Sequence, residues 1–377
     1  MTDVHLPEPD APPRSDRPAE QLQVLTPDGR RSPSPELDPW LTDVDEEMLA
    51  RLHRELTLVR RLDTEATHLQ RQGRLALWPP LRGQEASQVG AAAALRPADH
   101  VFPSYRENGL CLLRGVEAGE LLRVWSGSSF SGWDPAATGV ATQQLVIGAQ
   151  TLHAVGYAMG VQRDAADVST LVCFGDGATS EGDVHEAMVF AASYQAPVVF
   201  FCQNNHWAIS EPVGLQARRS IADRAWGYGI PALRVDGNDV LAVLAAVRRG
   251  VDRAAAGAGP MFVEAVTYRM GAHTTADDPT RYQDPAELEA WARRDPLERL
   301  TAHLRDVGAD ADAVVAASEA AADDLAARMR ADLDALPEEG PEALFAHVYA
   351  EPHQELARQQ RDLQLHLDGL EAGEEQA

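Results

Sequence analysis

The stretch LVCFGDGATSEGDVHEAMVFAASYQAPVVFFCQNN, from Leu171 to Asn205, decides the fold of this 377-residue chain. An apolar run, 171–174, ends at a glycine-rich turn, and a helical pattern of apolar residues follows. A second and wholly apolar run, 198–202, ends in the polar letters QNN. Two buried strands separated by one helix are typical of a βαβ unit in a parallel sheet. The sequence therefore predicts an α/β fold with a mostly parallel sheet flanked by helices.

Both predicted strands end in a hard oxygen ligand, the Asp176 carboxylate or the Asn205 amide. The carboxyl ends of parallel strands are where such sheets bind ligands. Mg²⁺ prefers these oxygens and completes its octahedron with water and substrate phosphates. Gly177 and Ala178 would let the backbone approach a diphosphate near the start of the following helix. A βα turn in which Asp176 caps that helix is the alternative, but the paired strand ends favour a metal site.

The pattern GDG, 26 intervening residues and then NN resembles the thiamine diphosphate fingerprint. The longer text from GDGATSEGD to NNHWAIS is similar to one family with this fingerprint, the α subunit of the decarboxylating component of 2-oxo acid dehydrogenase complexes. The branched-chain 2-oxo acid dehydrogenases are the type that it resembles most. The resemblance covers residues 45–370 and implies thiamine diphosphate and Mg²⁺ as cofactors. The implied metal ligands are Asp176, Asn205 and the backbone carbonyl of Trp207.

The resemblance also implies which side chains meet the cofactor phosphates. Tyr105 and Arg106, in VFPSYRENG, are expected there, because the planar fork of an arginine suits a diphosphate. A surface salt bridge between Arg106 and Glu107 is the alternative. His273 is expected to touch the terminal phosphate and to act in catalysis by assisting acyl transfer to lipoamide, since an imidazole can exchange protons near pH 7.

Two further groups of residues match the family. Arg269, Asp277 and Tyr282 correspond to residues that order the loop around the catalytic histidine. Leu145 and Ile147 correspond to the segment that wedges the cofactor between its two rings, and Ile147 would hold the cofactor bent. A place in the hydrophobic core is the alternative for both aliphatic residues.

Composition excludes several classes of function. The net charge of −25 argues against nucleic acid or an anionic membrane as the main partner. All 33 basic residues are arginine, which excludes Schiff-base catalysis and a lysine-containing P-loop. Cys111, Cys173 and Cys202 lack metal-binding spacing, so we expect reduced, buried thiols. Without a membrane-length apolar run or a basic leader, the chain is expected in the cytoplasm.

The chain divides into an arm and one domain. Residues 1–40 contain nine of the 24 prolines and predict a mobile Pro-rich arm. Residues 41–377 are expected to form a single thiamine diphosphate-binding α/β domain with a helical extension from about residue 285. Within it, apolar periodicity predicts helices at 46–71, 240–255 and 353–369 and a third buried strand at 261–268.

The resemblance implies an enzyme that is active only with a β subunit, in an α₂β₂ heterotetramer. The family places the glutamate that activates the cofactor on the β subunit, so the cofactor would lie at the α–β interface. The implied reaction is oxidative decarboxylation of a small 2-oxo acid. The acyl group would then pass to the lipoyl group of an acyltransferase component.

The substrate is the least determined part of this interpretation. Asn108, where pyruvate-specific relatives often have a cofactor-binding histidine, and the text FAHVYAEPHQELARQQ favour 3-methyl-2-oxobutanoate and its homologues. A pyruvate pocket differs by a few methylenes, each worth ~1–3 kcal/mol. Pyruvate is the second candidate and acetoin the third. A non-catalytic, Mg²⁺-dependent phosphate- or nucleotide-binding module is the alternative from a different class.

Overall fold

The computed structural model describes residues 20–127, 132–336 and 339–374. The strands, in chain order, are β1 (Gln21–Leu22), β2 (His100–Phe102), β3 (Thr170–Gly175), β4 (Val198–Asn204), β5 (Trp207–Ala208), β6 (Glu211–Pro212), β7 (Ala232–Asp236) and β8 (Met261–Val266). The helices of the first half are α1 (Glu46–Arg71), α2 (Glu85–Ala94), α3 (Asn108–Leu113), α4 (Ala118–Trp125), α5 (Pro135–Thr138), α6 (Ala149–Arg163) and α7 (Gly182–Tyr194). Those of the second half are α8 (Val213–Gln216), α9 (Ala222–Trp226), α10 (Val240–Ala255), α11 (Pro285–Ala292), α12 (Pro296–Asp306), α13 (Ala311–Ala335), α14 (Ala343–Ala346) and α15 (Gln354–Glu374).

Six strands form one parallel sheet in the order β1-β7-β8-β4-β3-β2. The predicted βαβ unit is confirmed as β3, α7 and β4, which are neighbours in register from Thr170 opposite Val198 to Gly175 opposite Gln203. The predicted third strand is β8, which ends at Val266, two residues earlier than expected. The predicted α/β class with a mostly parallel sheet is therefore confirmed.

Helices cover both faces of the sheet, because successive side chains of a buried strand point to opposite sides. On β3, Leu171 and Cys173 pack into the cluster that includes α1, α2 and α10. Val172 and Phe174 pack into the second cluster, under α6 and α7. This alternation within a continuous apolar run places the polar ends of β3 and β4 at a single edge.

Two helices begin and end where the sequence predicts. Asp45 caps α1 by accepting a hydrogen bond from the Met48 N–H at 2.9 Å, and Gly73 follows its last turn with a φ of +76°. Asp239 caps α10 with bonds from the N–H groups of Leu241 and Ala242. A side-chain acceptor at the start and a left-handed glycine at the end are strong local signals. Among the helices in the described part of the chain, none is both long and apolar enough to span a bilayer.

The expected arm differs from the structure where it is described. Residues 1–19 lie outside the described residues, but residues 20–41 are packed onto the domain. β1 adds an edge strand beside β7, and Leu25 and Leu37 are completely buried. The carboxylate of Asp239 accepts hydrogen bonds at 2.6 Å from the N–H groups of both Val24 and Leu25. These contacts use few apolar residues. The composition of the segment is therefore dominated by prolines and charged residues, and it does not indicate that the segment packs on the domain.

Candidate active site

A cavity of about 370 Å³ opens at the carboxyl ends of β3 and β4. The residues predicted for the site that line it are Tyr105, Arg106, Ile147, Asp176, Gly177, Ala178, Asn205, Trp207 and His273. They come from five separate parts of the chain, and the parallel sheet brings them to one edge. Leu145, Arg269, Asp277 and Tyr282 are not among the lining residues.

Asp176 is buried with one carboxylate oxygen unused. It starts a 3-10 turn (Asp176–Ser180) directly after β3, and only 1% of its surface is exposed. Its Oδ2 accepts a hydrogen bond from Gln216 Nε2 at 3.5 Å, while Oδ1 is buried without a partner among the described residues. Burial raises the pKa of Asp176 to about 6. Such a buried acceptor requires a ligand or carries a desolvation cost.

The alternative role for Asp176 as a helix cap is wrong. The residue that precedes α7 is Glu181, and no side-chain cap bond is made there. Asp176 lies at the other end of the 3-10 turn, facing the cavity. Its carboxylate instead faces the cavity that Asn205 also lines. The ends of β3 and β4 meet there because the two strands are parallel neighbours up to Gly175 and Gln203.

Asn205 presents its amide oxygen at the same place. Its Nδ2 donates to Gln84 Oε1 at 3.0 Å, which fixes the orientation of the amide, and its Oδ1 accepts from the Trp207 N–H at 3.1 Å. A carbonyl oxygen has two lone pairs, so one remains for a cation. One orphaned carboxylate oxygen beside one oriented amide oxygen fits Mg²⁺.

No group of three His, Cys, Asp or Glu side chains suited to a metal occurs within the described ranges. The predicted ligand set contains only one such side chain, so this finding does not bear on it.

The wall of the cavity has no room for a side chain at Gly177. A Cβ at this position would lie 2.8 Å from the Cβ of Ala208, in the small β5–β6 hairpin. The hairpin can therefore close over the 3-10 turn only because residue 177 has no side chain.

Arg106 reaches across the cavity to His273. Its Nη2 donates to the His273 carbonyl at 3.0 Å and contacts His273 Nδ1 at 3.1 Å, and its Nη1 donates to the Pro80 carbonyl at 2.6 Å. The surface salt bridge with Glu107 is thus wrong: Glu107 is buried and accepts hydrogen bonds from the Ser104 N–H and Gln203 Nε2. The Tyr105 ring lies 6.1 Å from the His273 ring, edge to face.

The contact with Arg106 determines the proton position on His273. A guanidinium can only donate, so Nδ1 of His273 must accept and the neutral ring must carry its proton on Nε2. Burial, and then the charges of Arg106 and Arg269, lower the pKa of His273 to about 4. At neutral pH the imidazole is therefore an uncharged Nε2–H donor.

A chain of hydrogen bonds holds the loop that carries His273. Arg269 Nη2 donates to the hydroxyl of Tyr282 at 2.6 Å and to the carbonyl of Ile209 at 2.7 Å. The Tyr282 hydroxyl donates to Asp277 Oδ2, which also accepts from the His273 N–H at 2.8 Å. These three predicted residues thus lie beside the cavity and reach it through the backbone of His273.

The two aliphatic residues are exposed, so a place in the core is wrong for both. Ile147 is 42% exposed and lines the mouth of the cavity, whereas Leu145 is 55% exposed and does not line it. Asn108, which stands where pyruvate-specific relatives often have a cofactor-binding histidine, is buried, and its Oδ1 accepts from Gln143 Nε2 at 2.8 Å. Asn108 therefore gives no structural support to the substrate assignment.

Sequence reasoning missed several polar residues of the cavity, namely Gln84, Glu107, Gln150, Gln203 and Gln216. Gln203 immediately precedes the two asparagines, which was the only available signal. Arg224 was also missed: it donates to the carbonyls of Thr179 and Gln216 at 2.7 and 2.6 Å, joining the 3-10 turn to α8.

An apolar surface is exposed on α6, α7 and the residues that precede the cavity-lining Ile147. We call it the α6–α7 face; it comprises the exposed residues Leu145, Val146, Leu152, Tyr157, Val189, Phe190 and Tyr194. Gly156 and Gly160 are exposed between them on α6, and nothing described lies near a Cβ added at either position. A contiguous apolar surface with small residues on a helix is typical of a protein interface.

Comparison with known proteins gives consistent matches. The model of the family "Dehydrogenase E1 component" matches residues 53–332. The chain is 46% identical over 349 residues to the 3-methyl-2-oxobutanoate dehydrogenase subunit alpha of Mycobacterium tuberculosis, covering 92% of this chain and 94% of the relative.

Pyruvate dehydrogenase E1 component alpha subunits also match. The chain is 39% identical over 264 residues to that of Acholeplasma laidlawii, covering 70% of this chain and 76% of the relative. It is 38% identical over 291 residues to that of Staphylococcus aureus (strain Mu50), covering 77% and 78%.

Proposed function

Because the chain belongs to the dehydrogenase E1 component family, we propose that it is the α subunit of a thiamine diphosphate-dependent branched-chain 2-oxo acid dehydrogenase. The observation that carries the proposal is the orphaned Oδ1 of Asp176 in a cavity at the strand ends that Asn205 also lines. An oxygen site for Mg²⁺ at the ligand-binding edge of a parallel sheet suits a diphosphate cofactor.

Different residues of the cavity would bind the metal ion and the diphosphate. Asp176 and Asn205, with the Trp207 carbonyl, would hold Mg²⁺, and Arg106 and Tyr105 would face the diphosphate. Gly177 and Ala178 form the wall of the cavity at the 3-10 turn, and Ile147 closes its mouth. Thiamine diphosphate, when bound, supplies the electron sink for loss of CO₂ from the 2-oxo acid.

The neutral imidazole of His273 carries its proton on Nε2 and can donate a hydrogen bond from there. Its Nε2–H is available because Arg106 occupies Nδ1, so the neutral side chain can donate a hydrogen bond to an anionic oxygen during acyl transfer to lipoamide. Arg269, Tyr282 and Asp277 would keep the loop ordered around it.

A β subunit is the proposed partner. The α6–α7 face is apolar and includes Leu145 and Val146, which precede the cavity-lining Ile147, so a second chain that covers this face would also reach the site. We propose an α₂β₂ enzyme that passes its acyl group to a lipoyl-bearing acyltransferase. We further propose 3-methyl-2-oxobutanoate and its homologues as substrates, because the named relative with that activity is 46% identical and covers 92% of the chain.

Co-expression of the chain with a β subunit of the same enzyme component tests the proposal. The complex would receive Mg²⁺ and thiamine diphosphate, and an artificial electron acceptor would report turnover of 3-methyl-2-oxobutanoate, pyruvate and acetoin. Preference for the branched acid supports the assignment, and preference for pyruvate or acetoin replaces the substrate. Tight nucleotide binding by the chain alone, without turnover in the complex, would indicate a phosphate-binding module instead.

A further inference from the structure

The segment 75–84, LALWPPLRGQ, joins α1 to α2 and supports both sides of the cavity. On one side the Pro80 carbonyl accepts the hydrogen bond from Arg106 Nη1 at 2.6 Å. On the other side it holds the loop of His273: Trp78 and Thr275 exchange two hydrogen bonds, Trp78 N–H to Thr275 Oγ1 at 3.1 Å and Thr275 N–H to the Trp78 carbonyl at 2.9 Å. The Met270 N–H also donates to the Arg82 carbonyl at 3.0 Å.

This segment is itself held by one side chain of α1. Asp63 is buried, and its Oδ1 accepts from Trp78 Nε1 at 2.8 Å and from the Leu81 N–H at 2.9 Å. Its Oδ2 accepts from the Arg82 N–H at 3.1 Å. Because Pro79 and Pro80 lack N–H groups, the segment cannot pair as a regular element, and the carboxylate supplies acceptors where backbone would otherwise do so.

The packing of α1 does not require this carboxylate. Asp63 lies beside buried Leu62 and Ala66 on the helix, where an apolar residue would avoid the cost of a buried charge. Burial raises the pKa of Asp63 to about 6. The Asp63 carboxylate at this buried position therefore has a role other than packing in the core.

We propose that Asp63 is a positioning residue that fixes the Arg106–His273 pair through the 75–84 segment. The carboxylate sets the path of residues 78–82, and the carbonyls of Pro80 and Trp78 then set Arg106 and the His273 loop. This inference rests on the proposed function for its activity readout, but the mechanical link between Asp63 and the loop does not depend on it.

The test compares two conservative changes on the same helix in the assembled complex. Asp63→Asn keeps one oxygen for Trp78 Nε1 but places an NH₂ group where the Arg82 N–H needs an acceptor. Glu65→Gln is the matched control, because Glu65 is also buried on α1 but pairs with Arg330 of α13. The first readout is the rate of tryptic cleavage after Arg281, an exposed residue in the His273 loop, with and without cofactor.

We expect cleavage after Arg281 to be about tenfold faster in Asp63→Asn and unchanged in Glu65→Gln. Acyl transfer to lipoamide should fall about 10- to 100-fold while decarboxylation with an artificial acceptor falls much less, because a displacement near 1 Å has this effect on a positioned group. Equal cleavage in all three proteins, or equal acceleration in both variants, would overturn the proposal.

A substitute variant and a readout that is independent of turnover cover two ways in which the experiment could fail. If Asp63→Asn does not assemble, Trp78→Phe removes one donor to Asp63 and should give the same pattern more weakly; wild-type cleavage and wild-type half-reactions in that variant would also overturn the proposal. If the wild-type complex turns over no 2-oxo acid, the proposed function fails, but the cleavage comparison still decides whether Asp63 holds the loop.

Discussion

Arg106 Nη2 lies 3.1 Å from His273 Nδ1 and 3.0 Å from the His273 carbonyl, so one guanidinium fixes both the ring and the backbone of the histidine. The two residues are far apart in the chain and meet over the cavity at the sheet edge. Burial, and then the charges of Arg106 and Arg269, keep the imidazole neutral, and the contact with Arg106 leaves Nε2–H as its free donor. The position of the ring proton is therefore set by a cation rather than by a carboxylate.

Replacing Arg106 should change the titration of His273. The pKa of His273, about 4 in the folded protein, should rise towards 6.5 in Arg106→Gln, although burial still opposes the charged form. Since the folded pKa is lowered, the neutral ring stabilises the fold above pH 6.5, and this stability is lost as the pH falls towards 4. NMR of histidine-labelled protein measures both the pKa and the tautomer.

Arg82→Gln is the control for this titration, because Arg82 is exposed in the neighbouring 75–84 segment. It should leave the pKa of His273 unchanged. An Nδ1–H tautomer in the wild-type protein at pH 7 would contradict the predicted contact.

Removing the His273 side chain should separate the two half-reactions. In His273→Ala, acyl transfer to lipoamide should fall by about 10²–10³-fold, the usual cost of removing a positioned hydrogen-bond donor. Decarboxylation followed with an artificial acceptor should fall far less, because Asp176, Asn205 and Arg106, the proposed cofactor-binding residues, would remain. A loss of the same size in both half-reactions would show that His273 only anchors the cofactor.

Neutralising Asp176 should stabilise the protein while it removes metal-dependent binding. The folded pKa of about 6 exceeds the unfolded value of 3.8, so ionisation opposes folding and stability falls as the pH rises through this range. In metal-free protein at pH 8, Asp176→Asn should unfold with a free energy about 1–3 kcal/mol higher than wild type. The difference should shrink at pH 5, and urea unfolding measures it.

Asp164→Asn serves as the control, since Asp164 is exposed after α6. It should change neither stability nor Mg²⁺-dependent cofactor retention measured by calorimetry. Normal retention in both Asp176→Asn and Asn205→Ala would contradict the metal assignment.

A charge on the α6–α7 face should prevent assembly. Tyr157→Arg would bury an unpaired cation in the proposed interface, at a cost of about 3–5 kcal/mol. Light scattering after size-exclusion chromatography of the co-expressed chains should then show free α subunit in place of the heterotetramer. Val307→Arg, an exposed apolar position after α12, should assemble normally. Normal assembly of the Tyr157 variant would place the β subunit elsewhere.

The sheet and its ligand-binding edge could be predicted because their signals are local. Apolar runs of strand length, the capping Asp45 and the left-handed Gly73 depend only on neighbouring residues, so α1 has the expected bounds and the two strands of the βαβ unit differ from expectation by at most two residues at an end. Asp176 and Asn205 line the same cavity because both follow neighbouring strands of the parallel sheet. The family resemblance added Arg106 and His273, which no local pattern would have joined.

The rest of the site depends on tertiary contacts that a sequence does not display. Gln203 and Glu107 bond to each other inside the cavity wall, yet a glutamine has no charge or spacing that marks it in advance. Asp63 looks like one polar residue of an amphipathic helix, and only the fold shows what it holds. The exposure of Leu145 could not be predicted either, because an aliphatic residue in a sequence looks the same whether its side chain lies on the surface or in the core.

The attachment of residues 20–41 limits how far the N-terminus can be shortened. A chain that begins after Leu25 would lose β1 and the two N–H groups that donate hydrogen bonds to Asp239, and one oxygen of this buried carboxylate would then lack its donors. It would also expose the unpaired edge of β7, and open strand edges recruit other chains. Shortened versions made for crystallisation should therefore start no later than residue 20, so that β1 stays paired with β7.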